Sequence, residues 1–248
     1  MISNELITHN RPRSYEAESF RTLRANLQFF GVGRTLKALQ LTGGMFGEGT
    51  SFVTANLAIV FAQTGRRVIV VDCDLRRPQQ HLIFNVDNMT GLTSVLSGYM
   101  EIDEVLKTVP VTGVTVLTSG LLPANPTELL GSRKMGEVVA GLKEKADVIL
   151  FDSPPLTVVA DAAVLSNELD GVLLVVRSRL ASRDSVAKAK EFLSNARANI
   201  LGVALNSVRM NEIIEDYYSY YGEDAGKQKI IMKKRKEEKA KKPEDAAQ

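Results

Sequence analysis

Short runs of apolar residues alternate along this chain with longer segments that have the apolar spacing of helices. The first pattern is typical of buried β-strands and the second of helices that pack on one face. Strands are predicted at residues 36–42, 67–72, 114–118, 148–152, 171–176 and 200–206. Helices are predicted near residues 15–30, 51–64, 127–144, 162–167 and 182–196.

The alternation of strands and helices predicts an α/β fold, with a mostly parallel sheet and helices on both of its faces. The runs 68–71 and 172–176 contain no polar residue, so we expect central strands that are buried on both sides. No repeat and no Gly/Ser/Pro-rich linker divides residues 15–208, which favours a single domain there. We expect an N-terminal arm (1–14) before it, and a tyrosine cluster segment (209–226) and a basic tail (227–248) after it.

Composition supports a folded body with a different C-terminal end. Apolar residues make up 44% of the chain and charged residues 24%, which excludes wholesale disorder. The net charge of +2 is unevenly spread, because residues 227–248 hold nine Lys and Arg against four Asp and Glu. That tail therefore carries +5 and the rest of the chain −3. We expect the tail to be flexible, since it has too few large apolar side chains to offset the entropy cost of ordering.

The basic tail has two interpretations. It is either a solubilising segment, as most runs of charge are, or a weak contact with anionic lipid through residues 233–242. Nucleic acid is the least favoured partner, because no aromatic or helical reading element accompanies the basic residues.

Several functional classes are disfavoured. Cys73 is the only cysteine, so an internal disulfide is excluded, and no Cys/His cluster indicates a zinc site. The N-terminal residues lack the apolar core of a secretory signal, and the longest apolar runs are far shorter than the ~20 residues of a membrane span. These features predict a cytoplasmic protein that reaches a membrane only through a partner or a surface contact.

A glycine-rich segment follows the first predicted strand and leads into a helix, which is the setting of a phosphate-binding loop. Residues 44–51 match the template Gly, four residues, Gly-Lys-Ser/Thr at every fixed position except the lysine, which is Thr50. Glycines let successive backbone N–H groups and the helix N-terminus face a phosphate, and Ser51 would offer a hydroxyl to Mg²⁺. A tight strand-to-helix turn without a ligand is the alternative interpretation of this loop.

Two carboxylates end later strands of the predicted sheet, Asp72 and Asp152. Open parallel sheets bind ligands at this edge, and carboxylates there hold Mg²⁺ beside nucleotide phosphates. Taken singly, each aspartate is equally a helix N-cap or a turn residue. The loop and both carboxylates, in the expected order, favour a Mg-nucleotide site.

Six groups of residues between positions 15 and 222 carry a family resemblance. They are residues 18–26, 47–49 with 54–58, 72–78, 123–130, 152–155 with 160–161, and the tyrosine cluster Tyr217, Tyr218, Tyr220 and Tyr221. This sequence resembles the bacterial tyrosine kinases of capsule and exopolysaccharide production, P-loop proteins related to the MinD-like ATPases. The resemblance implies transfer of the ATP γ-phosphoryl group to protein tyrosines, chiefly those in the tyrosine cluster of a neighbouring subunit in a ring. It also implies a membrane adaptor that recruits the protein to the inner face of the cell membrane.

The resemblance implies roles for individual residues. Asp72, Asp74 and Asp152 would be catalytic, with Ser51, Asp72 and Asp152 serving Mg²⁺ and Asp74 lying near the attacking tyrosine oxygen. Nucleotide contacts would come from Gly44, Gly47, Glu48, Gly49, Thr50, Ser51, Phe52 and Asn206, and subunit contacts from Glu18, Arg21 and Arg24. Asn206 looks like the adenine contact, although Asn is also a common turn residue. The Glu18, Arg21, Arg24 face is otherwise a solvated helix surface with an internal ion pair.

Thr50 departs from the family pattern. A lysine there would place a positive charge at the β- and γ-phosphates, and a neutral hydroxyl cannot replace its field. We expect weak Mg-nucleotide binding and impaired transfer unless another cation, such as Arg76 or Arg77, supplies the charge. The alternatives are a non-catalytic assembly module of a polysaccharide export complex and, less favoured, a MinD-like positioning ATPase.

Overall fold

The structure, a computed structural model, describes residues 3–30 and 36–209. Its strands are β1 (Ala38–Gly43), β2 (Val68–Asp72), β3 (Lys107–Val109), β4 (Val114–Leu117), β5 (Val148–Asp152), β6 (Gly171–Arg177) and β7 (Ile200–Asn206). Its helices are α1 (Ile7–Asn10), α2 (Tyr15–Phe30), α3 (Thr50–Ala62), α4 (Gln80–Phe84), α5 (Leu92–Leu96), α6 (Ile102–Val105), α7 (Pro126–Leu130), α8 (Arg133–Lys145), α9 (Asp161–Leu165) and α10 (Arg183–Asn195), with a 3₁₀ turn at Ser166–Glu168. All of these elements belong to one compact unit, Met1–Asn206.

The strands form one sheet in the order β3-β4-β2-β5-β1-β6-β7. Every neighbouring pair is parallel except β3 with β4. The predicted α/β fold is therefore confirmed. Because β1 pairs with β5 on one side and β6 on the other, its C-terminal end lies between the ends of two parallel strands. The connection after β1 runs to β2 on one side, whereas the connection after β5 runs past β1 to β6 on the other side, and open α/β sheets bind ligands at such a reversal of direction.

Side chains alternate between the two faces of the sheet, as the strand geometry requires. In β2, Val68 and Val70 pack with α3 in one core, whereas Ile69 and Val71 pack with α8 in a second core. Residues of β6 divide in the same way between the first core and a third, smaller one against α10. The apolar runs 68–71 and 172–176 are buried on both sides, as expected.

Five short elements were not predicted: α1, α4, α5, α6 and β3. Each has three to five residues, too few for a hydrophobic period to show in the sequence. The predicted helix 127–144 is in fact two helices, α7 and α8, separated at Gly131 and Ser132. Ser132 begins the second helix because its hydroxyl accepts a hydrogen bond from the Met135 N–H, an N-cap arrangement.

Helix α3 is buried along most of its length, since residues 53–61 are all enclosed. The segment before α2 contributes to this cover: Leu6 is fully buried, and the Thr8 N–H and hydroxyl both donate to Asn56 Oδ1 at 3.0 Å. Asn56 Nδ2 donates in turn to the Glu5 carbonyl at 2.9 Å. The part of the predicted N-terminal arm that the structure describes therefore packs on the helix that follows the candidate phosphate loop.

The predicted tyrosine cluster and basic tail lie outside the described residues. Within residues 3–30 and 36–209, no helix has the length and apolar character needed to cross a membrane.

Candidate functional site

The candidate phosphate loop, residues 43–51, connects β1 to α3 at the C-terminal edge of the sheet. Gly47 and Gly49 have φ values of 81° and 85°, a left-handed conformation that favours glycine. These two turns bring the chain back to the first turn of α3. The Gly47–Ser51 backbone N–H groups donate no hydrogen bond within the described part of the chain. The loop therefore presents a run of donors and a helix N-terminus, which together suit a phosphate group.

Glu48 holds the loop from inside. Its side chain is buried, and Oε2 accepts hydrogen bonds from the N–H groups of Gly44 at 2.5 Å and Met45 at 3.1 Å. From outside, Asn206 Nδ2 donates to the Glu48 carbonyl oxygen at 2.8 Å. Asn206, the predicted adenine contact, is thus placed beside the loop and ties the end of β7 to it.

The two strand-end carboxylates lie side by side. Asp72 of β2 and Asp152 of β5 are register partners in adjacent parallel strands, and both are buried. Asp72 Oδ2 accepts hydrogen bonds from the N–H groups of Gln79 at 3.0 Å and Gln80 at 2.9 Å. The Gln80 side chain then donates to Asp152 Oδ2 at 2.7 Å and to the Ser51 carbonyl at 3.1 Å. Gln80 therefore joins both carboxylates to the phosphate loop.

Burial makes this pair costly to ionise. Burial and then the nearby Asp152 raise the pKa of Asp72 well above its usual range, although the bonds from α4 oppose this. Burial raises the pKa of Asp152 to about 7, while the nearby Ser51 hydroxyl and the hydrogen bond from Gln80 lower it. A nearby divalent cation would relieve the charge repulsion in the pair.

The donor set fits Mg²⁺. Asp152 Oδ1 is buried and has no hydrogen-bond partner among residues 3–30 and 36–209, and the Ser51 hydroxyl lies next to the same carboxylate. Among the described residues, no group of three or more His, Cys, Asp or Glu side chains could hold a metal. Mg²⁺ commonly binds through one or two protein carboxylates plus phosphate oxygens and water. The two carboxylates and the Ser51 hydroxyl are such a set of oxygen ligands.

Asp74 lies just beyond β2 and is half-buried. Its Oδ1 accepts hydrogen bonds from the N–H groups of Arg76 at 3.1 Å and Arg77 at 2.8 Å. No hydrogen bond among residues 3–30 and 36–209 uses its Oδ2. The turn therefore fixes one oxygen of this carboxylate and leaves the other without a donor in that part of the chain.

The two predicted substitute cations have different surroundings. Arg76 donates twice to the buried carboxylate of Asp161, at 2.8 and 3.1 Å, and also to Thr127. Its charge is therefore committed to an ion pair. The Arg77 guanidinium lies 5.3 Å from the ring centre of Phe46, an exposed residue of the phosphate loop. Thr50, at the lysine position, begins α3.

Other predicted residues fall into separate places. The Phe52 ring packs edge-to-face against Phe20 of α2, with 5.9 Å between ring centres, so this side chain faces the core. On α2, Arg21 pairs with Glu18 at 2.8 Å near the surface, whereas Arg24 donates to the Val60 carbonyl of α3 at 2.8 Å. Tyr217, Tyr218, Tyr220 and Tyr221 lie outside the described residues.

Sequence reasoning missed two residues of this site. Gln80 carries no motif signal beyond its position eight residues after Asp72. Arg177 ends β6, and its Nη1 donates to the Gly47 carbonyl at 2.9 Å. Its position directly after the predicted strand 171–176 was the only available signal.

The chain is similar to several known proteins. A ParA family model described as NUBPL iron-transfer P-loop NTPase matches residues 36–240. The tyrosine-protein kinase YwqD of Bacillus subtilis is 38% identical over 221 residues, which cover 89% of this chain and 92% of that protein.

Two solved structures show the same arrangement of the chain. The kinase domain of the Escherichia coli tyrosine kinase ETK superposes with a TM-score of 0.80 at 33% identity, covering 82% of this chain and 80% of that one. The septum site-determining protein MinD of Pyrococcus horikoshii, complexed with Mg-ADP, has a TM-score of 0.59 at 27% identity, covering 68% and 70%.

Proposed function

This chain belongs to the bacterial tyrosine-protein kinase family, and from that membership we propose that it binds Mg-ATP at the phosphate loop and phosphorylates protein tyrosines. The single observation that carries the proposal is the buried Asp152 carboxylate, which lies beside Ser51 of the loop and whose Oδ1 has no hydrogen-bond partner in the described part of the chain. Such an oxygen is costly to bury unless a cation completes its surroundings. The capsule and exopolysaccharide role of the resembled family is the proposed biological context.

Each residue of the site would have a distinct task. The free N–H groups of residues 47–51 would hold the phosphates, and Ser51, Asp72 and Asp152 would hold Mg²⁺. When bound, Mg-ATP supplies the γ-phosphoryl group, with the metal neutralising charge on its oxygens. Asp74 would accept the tyrosine proton at Oδ2, since its Oδ1 is fixed by two backbone N–H groups.

Thr50 sets the expected strength of this activity. A charge-assisted contact contributes about 1.5–3 kcal/mol, so its loss weakens nucleotide binding roughly 10- to 150-fold. Catalysis suffers further, because charge develops on the transferred group. The loop N–H groups, Ser51 and the carboxylates do not depend on the side chain at position 50, so binding is retained better than turnover.

The decisive experiment measures autophosphorylation of the parent chain and of Thr50→Lys, with [γ-³²P]ATP and Mg²⁺. We expect faster incorporation in Thr50→Lys, and no incorporation when Tyr217, Tyr218, Tyr220 and Tyr221 are all replaced by Phe. Equal and robust incorporation in parent and Thr50→Lys would show that Thr50 does not impair transfer. No phosphotyrosine in either protein would favour the non-catalytic assembly module. Thr50, in place of the lysine of the family pattern, is the observation that supports this second interpretation.

Assembly is a further part of the proposal. Glu18 and Arg21 form an ion pair near the surface of α2, and with Arg24 they would join subunits into a ring that offers one tyrosine cluster to the next site. Arg24 would act from within the fold, because it is bonded to the Val60 carbonyl. Mass photometry of the parent and Arg21→Ala tests this: loss of the larger species on substitution is expected, and an unchanged mass distribution contradicts the role.

Recruitment to the inner face of the membrane by an adaptor is also proposed, on the strength of family membership alone. Co-purification with a membrane protein that remains after removal of residues 227–248 would support an adaptor. Loss of membrane association with that truncation would indicate lipid contact through the basic tail instead.

A further inference from the structure

An exposed guanidinium group lies beside the carboxylate that would accept the tyrosine proton. We propose that Arg77 is a specificity-determining residue, which selects tyrosines that are flanked by acidic side chains. The inference rests on the proposed kinase function, and it names the class of peptide that this site takes.

The turn after β2 places Arg77 next to Asp74. The Arg77 N–H donates to Asp74 Oδ1 at 2.8 Å, so the two residues are held in one turn. From this turn the Arg77 guanidinium extends to the phosphate loop, where it lies 5.3 Å from the ring centre of Phe46. A cation over an aromatic ring at this distance is attracted to the ring. The charge is therefore held between Asp74 and the phosphate loop.

This guanidinium is available to a ligand. Arg77 is exposed, and its side chain forms no hydrogen bond or ion pair with any residue in the ranges 3–30 and 36–209. Its N–H donors form a planar fork that matches the two oxygens of a carboxylate. The neighbouring Arg76 differs, because its two hydrogen bonds to the buried Asp161 already use its charge.

The charge of the surrounding site makes this cation decisive for an acidic substrate. Asp72, Asp74 and Asp152 lie at or just beyond the C-terminal ends of β2 and β5, so this edge of the sheet presents carboxylates to an incoming chain. Like charges that face each other across an interface are unfavourable. An acidic peptide therefore needs a cation near Asp74, and Arg77 is placed to be that cation.

The chain itself contains a matching target. The tyrosine cluster has a pair of acidic residues on each side, which are Glu215, Asp216, Glu223 and Asp224. Each tyrosine of the cluster therefore has a carboxylate at most three positions away. Two residues of extended chain span about 7 Å, a distance that is comparable to the reach of an arginine side chain from its own backbone. A carboxylate near the target tyrosine would thus come within reach of Arg77.

The expected selectivity is that of one solvent-exposed ion pair. We expect the parent chain to have a KM about two- to fivefold lower for an acidic peptide than for a neutral one, and Arg77→Gln to lose this difference. The kcat should stay within about twofold, because Arg77 does not contact the reacting atoms. In about 1 M NaCl the preference of the parent chain should disappear, since salt screens exposed charges.

The test measures transfer from [γ-³²P]ATP to two biotinylated peptides, which are captured on streptavidin. The acidic peptide has the sequence of residues 213–225, and the neutral peptide carries Gln and Asn in place of its four acidic residues. The parent chain, Arg77→Gln and Arg77→Lys are compared, each also with Thr50→Lys to raise the rate. The matched control is Arg66→Gln, which removes the same charge from an exposed position at the other end of β2. We expect Arg66→Gln to keep the full preference for the acidic peptide and Arg77→Lys to keep part of it.

A second measurement does not depend on transfer. Fluorescence anisotropy reports the affinity for the same two peptides with Phe in place of every tyrosine, in Mg²⁺ and a non-hydrolysable ATP analogue. We expect the same preference of about two- to fivefold for the acidic peptide, and its loss in Arg77→Gln.

The outcomes separate this inference from the proposed function. If neither the parent chain nor Thr50→Lys phosphorylates a peptide, the kinase proposal fails, and an Arg77-dependent preference in the anisotropy still supports the inference. Equal KM values for the two peptides in the parent chain, or a preference that persists in Arg77→Gln, overturn the inference alone. An equal loss for both peptides in Arg77→Gln, or weaker ATP binding with an unchanged peptide preference, would assign the charge to another task and also overturn it. The absence of both transfer and preference overturns both proposals. Circular dichroism of each variant establishes that the fold is retained.

Discussion

Replacement of Gly49 by alanine tests how the phosphate loop is held in place. Gly49 has a φ of 85°, and a Cβ there would lie 2.4 Å from Asn206 Nδ2. That nitrogen donates to the Glu48 carbonyl at 2.8 Å, so the amide must give up its position against the loop. Gly65 is a matched control: its φ is 79°, and nothing lies within 4 Å of a Cβ built on it.

The two substitutions share one cost and differ in another. Alanine in a left-handed conformation costs about 1–2 kcal/mol at either position. Gly49→Ala additionally loses the hydrogen bond from Asn206, worth about 0.5–1.5 kcal/mol. We therefore expect Gly49→Ala to lower the free energy of unfolding by about 2–3 kcal/mol and Gly65→Ala by about 1–2 kcal/mol. For a folded unit of this size, a difference of about 1 kcal/mol corresponds to roughly 2–4 °C in Tm.

Urea unfolding followed by far-UV circular dichroism is the appropriate assay, because the chain contains no tryptophan. Nucleotide titration should show weaker binding for Gly49→Ala and unchanged binding for Gly65→Ala. In an Asn206→Ala background, Gly49→Ala should cost only the conformational part, because its collision partner is gone. Equal losses of stability for Gly49→Ala and Gly65→Ala in the parent background would refute the idea that Asn206 anchors the loop.

Three further predictions concern the buried polar groups. In EDTA, the free energy of unfolding should fall as pH rises from about 4 towards 7, because the pKa of Asp152 is about 7 in the folded state and ordinary in the unfolded chain. Urea titrations at pH 5 and pH 8 measure this dependence, and Asp152→Asn should make it weaker. Arg76→Ala should lower the free energy of unfolding by about 2–4 kcal/mol, because it leaves the Asp161 carboxylate buried and poorly paired. The double variant with Asp161→Ala should lose less stability than the sum of the two single variants, whereas strict additivity would argue against coupling between the two residues. Asn56→Ala should lower the free energy of unfolding by about 2–4 kcal/mol and speed up proteolysis within residues 3–14, since it removes the side-chain partner of Thr8 and of the Glu5 carbonyl. An unchanged rate of cleavage would contradict the packing of that segment on α3.

Most of the fold was predictable because its signals are local. The apolar runs 68–71 and 172–176 indicated buried parallel strands, and the glycine spacing of residues 44–49 indicated a turn between a strand and a helix. Short elements such as α4 and β3 escaped prediction, since three to five residues give no period. The break between α7 and α8 was missed because Ser132 acts as an N-cap only once the chain turns there.

The sequence by itself determined the fold class, the family and the order of the loop and its two carboxylates. Each of these follows from short segments whose residues are neighbours along the chain. Only the tertiary structure decided which distant groups meet. Gln80 reaches Asp152 because its backbone is bonded to Asp72, which lies beside Asp152 in the neighbouring strand, and Arg177 reaches Gly47 because β6 pairs with β1. The raised pKa of Asp152 has the same origin: burial and nearby charges set it, and these exist only when the strands are assembled.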